Sequence, residues 1–313
     1  MGRLTGTGQL KWSVIAAYFL IYVVWGSTYF FIGVALQGLP PFLLGALRFT
    51  AAGLILLAVC CFRGEPVFGK ALIKRSAVSG IVLLFIDMAV VMLAQRWLSS
   101  SLVAIIAAST AIWIMALDAP MWKKNFRNPA TVAGIVLGFL GVMMLYVEQL
   151  GGNDGPAHTE YGVMLMILGC ISWALGTLYT KYRTDKAERI YEFAGSAWQM
   201  LFAGAAFWVC SIAAGNTDTD LSRIPAASWW ALGYLIVFGS ILAYTAYVWL
   251  LKVRPATEVA THAYVNPLIA VFLGVVFGHE EVTFIQIAGL MVILLSVLLV
   301  NEKRNRIFRG RKR

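Results

Sequence analysis

Residues 256–274 read ATEVATHAYVNPLIAVFLG. The stretch approaches the ~20 apolar residues that cross ~30 Å of hydrocarbon, yet its first half carries Glu258, Thr261, His262 and Asn266 ahead of Pro267. A charged group at the centre of a spanning helix costs roughly 2.5–3.5 kcal/mol on insertion scales, so these groups need a reason to be there. Helical spacing supplies part of it. Glu258, His262 and Asn266 fall at i, i+4 and i+8, with Thr261 beside them, and make one stripe on one face. The other face, with Val259, Ala263 and Ala270, is apolar or small. Lipid would leave the stripe unsatisfied, so it has to face protein or water. Pro267 is expected to break the helix, since it lacks an amide hydrogen and frees a carbonyl toward a cavity.

The rest of the chain has the same hydrocarbon character. Hydrophobic residues make up 60% and charged residues 13%, with a mean hydropathy of +0.78, whereas soluble domains run nearer half apolar and a quarter charged. Apolar blocks lie near 12–36, 40–62, 76–96, 99–122, 129–147, 160–181, 193–214, 228–251, 256–278 and 283–300. Each is long enough to be a candidate spanning helix, which predicts ten of them. The connections are short; the longest, GGNDGPAHTE (151–160), is a Gly-rich polar loop, so one polytopic membrane domain accounts for the chain. The first block lacks a small-residue cleavage site and is expected to be a retained span. Cys60, Cys61, Cys170 and Cys210 lie in or at the ends of apolar blocks without CxxC or Cys/His spacing, which supports neither a disulfide framework nor a metal site.

Charge placement gives the orientation. With the N-terminus in the cytoplasm, all but Arg48, Arg96 and Arg223 of the 25 Lys and Arg residues fall on the cytoplasmic side. Positive residues favour that face, so both termini are expected inside. The basic tail 301–313 either sets orientation or also touches anionic lipid. The net charge of +10 is not paired with an aromatic-basic platform, so no nucleic-acid partner is expected.

Sliding the chain by about 150 residues against itself exposes a repeat. Trp25 in VVWGSTYF (23–30) meets Trp173 in ISWALGTLY (171–179), and ALRFTAAG (46–53) meets AWQMLFAG (197–204). SSLVAIIAASTAI (100–112) then meets ATEVATHAYVNPL (256–268), and VAGIVLGFLGVMML (132–145) meets IAGLMVILLSVLLV (287–300). Each half, 12–147 and 160–300, holds five spans, an odd number, so the halves cross the membrane in opposite senses. That is a 5+5 inverted repeat, a construction that places a substrate cavity near mid-membrane between the halves.

WGSTYF with PPFLLGALRFTAAG, then ISWALGTLYTK, GYLIVFGSILAYTAY and AYVNPLIAVFLG resemble the drug/metabolite transporter superfamily, and within it the bacterial EamA-type members with two EamA repeats. The resemblance covers about residues 14–300. It implies ten helices around a central cavity, both termini in the cytoplasm of a bacterial inner membrane, and export of small metabolites without ATP. Two departures from the family pattern stand out. The proline common in the middle of the fourth span is Ala111 here, so the first half is expected to bend less at that point. Glu258 and His262 are also unusual in the ninth span.

Several residues are candidates for the transport path. Glu258 either lines the path or pairs with Lys252 or Arg254 at the interface. His262 either faces the cavity or makes a helix–helix hydrogen bond, and Asn266 either contacts ligand or satisfies backbone freed near Pro267. Asp87 lies mid-span in LLFIDMAVVM and is either a proton-coupling or amine-binding acid or the structural partner of Arg48. Arg48 is a candidate counter-ion. Asp118, beside Pro120, is expected to be an interfacial cap. Trp25 and Trp173 are mid-span, away from the usual aromatic belts, and with Thr28, Tyr29, Trp113, Tyr179, Tyr244, Tyr247 and Tyr264 either offer flat or polar wall to a ligand or pack the helices. The GxxxG at Gly134 and Gly138 serves either bundle packing or a weak homodimer.

Phosphate-cradling loops, HExxH, GxSxG and nucleophile–base spacings are absent from the sequence. The reading that follows is a secondary transporter, an exporter of a small amphipathic metabolite such as an amino acid or toxic compound, proton-coupled or facilitative, with no cofactor. An importer, or a membrane-embedded lipid-handling protein or enzyme, remains the alternative.

Overall fold

The computed structural model describes residues 6–127, 129–151, 159–183, 192–254, 259 and 261–310. Among these, every regular element is helical. Eight helices are long and apolar enough to cross a membrane: α1 (Trp12–Leu36), α2 (Pro41–Phe62), α3 (Lys70–Ala94), α4 (Ser100–Leu117), α5 (Pro129–Glu148), α6 (Thr159–Tyr182), α7 (Phe193–Ala213) and α8 (Ala226–Leu251). Two further helices, α9 (His262–Gly278) and α10 (Phe284–Gly310), carry shorter apolar runs.

In lipid there is little hydrophobic drive between helices, so close approach through small residues does the packing. The most extensive pairings are α2 with α7 and α5 with α10. Gly45 lies under Phe207, Gly53 under Leu201 and Gly204 under Thr50, and the rings of Phe49 and Phe207 stack at 5.7 Å. Gly138, half of the GxxxG, packs inward against Ile112 of α4 and Ser296 of α10, and so serves the bundle. Several of the other contacts come in matched sets: α3 with α6 beside α8 with α1, α6 with α4 beside α1 with α9, and α3 with α7 beside α8 with α2.

Three spans contain a π-helical stretch: Leu20–Val24 in α1, Gly80–Ile86 in α3 and Leu235–Tyr244 in α8. Wider π turns leave the regular i→i+4 ladder and often mark functional sites. Span α4 is interrupted at Ala108–Ser109, where the amide of Ser109 bonds Ile106 O and that of Ile112 bonds Ser109 O, both three residues back. No proline is needed for this break, so α4 leaves its regular hydrogen-bond ladder just before Ala111 without one.

The ninth segment also differs from expectation. Helix α9 runs through Pro267 without a break, and the chain turns earlier, at Thr261, between helical Val259 and His262. Proline sits only five residues past the start of α9, so the carbonyl it deprives lies in the first turn of the helix. Turning the chain just before that point removes the clash. Glu258 lies outside the described residues, as does the side chain of Tyr264.

Candidate functional site

Between the helices lies a cavity of about 1560 Å³, its open mouth included. Its wall brings together residues far apart in sequence. Trp25 of α1 and Trp173 of α6, mid-span in each half, meet edge to face at 5.5 Å. Tyr247 of α8 lies 5.0 Å from Trp25 and 5.7 Å from Trp173, and the His262 ring is 5.4 Å from Trp25 and 5.8 Å from Tyr247. These four rings form an aromatic corner with faces available to a flat apolar or cationic group. His262 Nδ1 is 2.9 Å from the carbonyl of Val259; a carbonyl only accepts, so Nδ1 donates and Nε2 is left to the cavity.

Asp87, Arg48, Thr28, Tyr244, Asn266 and Pro267 line the same space. Asp87 and Arg48 are both buried, but they do not pair. Arg48 Nε donates to Ser240 Oγ at 2.8 Å, and its Nη1 is buried without a hydrogen-bond partner. Asp87 has no hydrogen bond or ion pair among the described residues and packs beside Gly169 of α6. The counter-ion expectation for Arg48 is therefore corrected: α2 and α3 place the two charges as separate groups. Thr28 is occupied locally, its hydroxyl donating to the Trp25 carbonyl at 2.6 Å.

Asn266 is explained by backbone. Oriented with its nitrogen toward the carbonyls around it, the amide donates to Ile21 O and Tyr22 O, each at 2.9 Å, and to His262 O at 3.2 Å. The first two belong to the π stretch of α1, whose carbonyls need such partners. Tyr22 OH adds a 2.5 Å bond with Thr261 Oγ1 across the same contact. Tyr244 OH donates to Gln199 Oε1 at 2.5 Å, and Gln199 Nε2 to Ser79 Oγ at 2.9 Å, a buried chain from the cavity wall to the start of the π stretch in α3.

The cavity lining extends to Asp118 and Lys181. Asp118 makes no capping bond; it pairs instead with Lys181 at 2.8 Å and accepts from Tyr182 OH. The cap reading fails because the last turns of α4 and α6 pack together and bring a lysine to the acid. The Lys181 side chain is 39% exposed, so this end of the lining reaches the surface.

Away from that rim the helix ends are tied together. Ser228 Oγ donates to Val34 O at 3.0 Å, Gly38 lies hard against Ile224 and Pro225, and Gln95 Nε2 donates to Tyr29 O at 3.0 Å. Glu280 contributes most: Oε1 accepts from Ser100 N and Oγ at 2.9 and 2.6 Å, and Oε2 from Ser101 N and Oγ at 2.9 and 2.5 Å. A carboxylate at a helix N-terminus satisfies orphan amides and the helix dipole together. It gets there because His279 takes a left-handed conformation (φ 52°) and the Glu280 amide folds back to Gly274 O at 2.9 Å. Glu280, Gln199 and Ser240 escaped the sequence reading. Only Glu280 left a signal, an acid just past a spanning segment in a chain with three serines at the start of another. Trp113, by contrast, packs against Phe139 at 4.8 Å and is absent from the cavity wall.

The EamA-like transporter family model matches residues 11–147 and again 160–302. The Escherichia coli protein named "Uncharacterized inner membrane transporter YedA" is 33% identical over 289 residues, covering 92% of this chain and 90% of its own length. The Salmonella typhimurium "Probable amino-acid metabolite efflux pump" is 25% identical over 284 residues, covering 90% of this chain and 92% of its own. A solved crystal structure shares the fold at a TM-score of 0.64 and 19% identity, spanning 92% of this chain and 97% of that one. With two matched repeats spanning nearly all of a helical, cavity-bearing chain, this protein belongs to the EamA-like transporter family of the drug/metabolite transporter superfamily.

Proposed function

We propose that the protein is a secondary exporter of a small amphipathic metabolite, working by alternating access of the cavity to the two faces of a bacterial inner membrane. The observation that carries this is a cavity between the helices whose lining extends to exposed Lys181, with Asp87 and Arg48 in its wall and not paired with each other. An intramembrane ionisable group without a structural partner points to a path for solute or protons. Trp25, Trp173 and His262 take the apolar part of the solute, Tyr244 and Thr28 complete the wall, and Asp87 or His262 carries coupling protons; otherwise transport is facilitative. The helices act as ten spans in a 5+5 inverted repeat, 12–147 and 160–300. Its support is the matched helix contacts and the π stretches at corresponding places in α3 and α8. The basic end is cytoplasmic, with both termini there and the tail 301–313 at the inner surface, by the positive-inside rule. Export is favoured over import by the printed name of the Salmonella relative.

Counterflow in proteoliposomes loaded with amino acids, aromatic acids and organic cations tests the reading. Saturable exchange of at least one class is expected. No movement of any class under any gradient would sink it.

A further inference from the structure

Arg48 lies on α2 facing α8 and is 3% exposed. A guanidinium carries five N–H donors, and only Nε finds a partner, Ser240 Oγ. The Phe49 ring lies 4.9 Å from its central carbon. Nη1 is buried and unpartnered; Nη2 has no partner among the described residues and rests beside Gly239, where an added Cβ would come within 3.2 Å. A buried charge is normally paired, because desolvating it alone is costly. Asp87, the buried acid of the same cavity, leaves it unpaired, so the protein holds a buried cation with unmatched donors at its Nη atoms.

The surroundings are built for a head and a body. Gly239 and Ser240 are successive residues of the π stretch in α8: Ser240 fixes the guanidinium through Nε, and Gly239, lacking a side chain, lets Nη2 and the Thr28 methyl pack close against the backbone. The Gly239 carbonyl accepts the indole hydrogen of Trp25 at 3.2 Å, which ties this polar spot to the aromatic corner. A solute lying against Trp25 would have one end directed at Arg48.

We propose that the cavity selects solutes bearing a carboxylate, received by the Nη1–Nη2 fork of Arg48, with Ser240 as its positioning residue and the rings of Trp25, Trp173 and Tyr247 holding an apolar body. Planar carboxylate and planar guanidinium match bidentately, which lysine cannot reproduce. The proposal rests on the transport reading for its cavity and deepens it by naming the chemical class.

Calorimetric titration of the detergent-purified full-length chain with benzoate, phenylacetate and 4-phenylbutyrate, each beside its neutral primary amide, tests it. At least one acid is expected to bind about ten- to a hundredfold tighter than its amide, the span of a hydrogen bond to a charged group. Arg48→Met should erase that preference, Arg48→Lys should keep a fraction of it, and Ser240→Ala should weaken the acid while sparing the amide. If Arg48→Met does not yield a monodisperse protein, the Arg48→Lys and Ser240→Ala series decides. Equal affinity for acid and amide, no binding of any acid, or full acid preference in Arg48→Lys together with Ser240→Ala overturns the proposal. Counterflow of the same compounds separates the two readings. Acid-selective binding without exchange keeps the site and removes transport, whereas exchange without acid preference keeps transport and removes the site.

Discussion

Asp87 is buried in a cavity wall with no side chain bonded to it among the described residues, so no ion pair or hydrogen bond there accounts for it. Asp87→Asn keeps the shape and removes the charge; thermal stability is expected to hold or rise, because an unpaired acid no longer has to be buried. Uptake driven by a pH gradient should fall to the level of gradient-free exchange, and full uphill transport in the variant would remove Asp87 from coupling. Tyr244 behaves differently, because its hydroxyl is the partner of Gln199 Oε1. Tyr244→Phe strands that oxygen and should cost about 1–3 kcal/mol, read as a lower unfolding temperature. Asp87, Arg48 and the two mid-span tryptophans were legible because charge or indole at mid-membrane is costly or out of place. Ser240 and Gln199 were not, since a neutral polar side chain satisfies itself on a helix at little cost, and only the neighbouring helix reveals what it bonds.

At the level of elements, eight of the ten apolar blocks are helices long and apolar enough to cross a membrane, because length and composition decide what crosses hydrocarbon, while the last two carry shorter apolar runs. The interruptions are another matter. Proline marked α9 for a break, yet the turn falls at Thr261, while the break in α4 falls on Ala108–Ser109, residues that carry no breaker chemistry. Gly80, at the start of one π stretch, lies so close to α7 that an added Cβ would be 2.5 Å from the Gln199 carbonyl oxygen. Backbone cannot rotate away as a side chain can, so Gly80→Ala should destabilise by about 1–3 kcal/mol or more and reduce the monodisperse fraction in gel filtration. Gly233→Ala, with nothing within 4 Å, should be neutral. Ala111→Pro tests the α4 break. The position lies in the first turn of the helical piece Thr110–Leu117, where proline is tolerated, so the variant should fold and transport; loss of the folded protein would mean that α4 runs continuous in the membrane.

Across the whole molecule, α4 is held at both ends by residues beyond residue 160: Glu280 grips its first turn and Lys181 with Tyr182 holds Asp118 just past its last. The first grip lies away from the cavity's exposed rim, and the second stands at it. The alternating access proposed above requires the end at Glu280 to open, and four hydrogen bonds to one carboxylate are a concentrated place for that energy. A hydrogen bond to a charged group contributes about 1.5–3 kcal/mol, and about 1.4 kcal/mol shifts an equilibrium tenfold. Glu280→Ala should therefore raise the population open at that end by about tenfold or more. In a background with Cys60, Cys61, Cys170 and Cys210 replaced, Thr177→Cys should react with a membrane-impermeant maleimide from the basic end, while Ala104→Cys, buried in the lining one turn past Ser100, should react slowly from the other side. Adding Glu280→Ala should speed labelling at Ala104→Cys from that other side and slow it at Thr177→Cys from the basic end, because the two openings compete for one cavity. Unchanged labelling at both positions would show that Glu280 only caps α4, and faster labelling at both would replace an alternating gate with a simple leak.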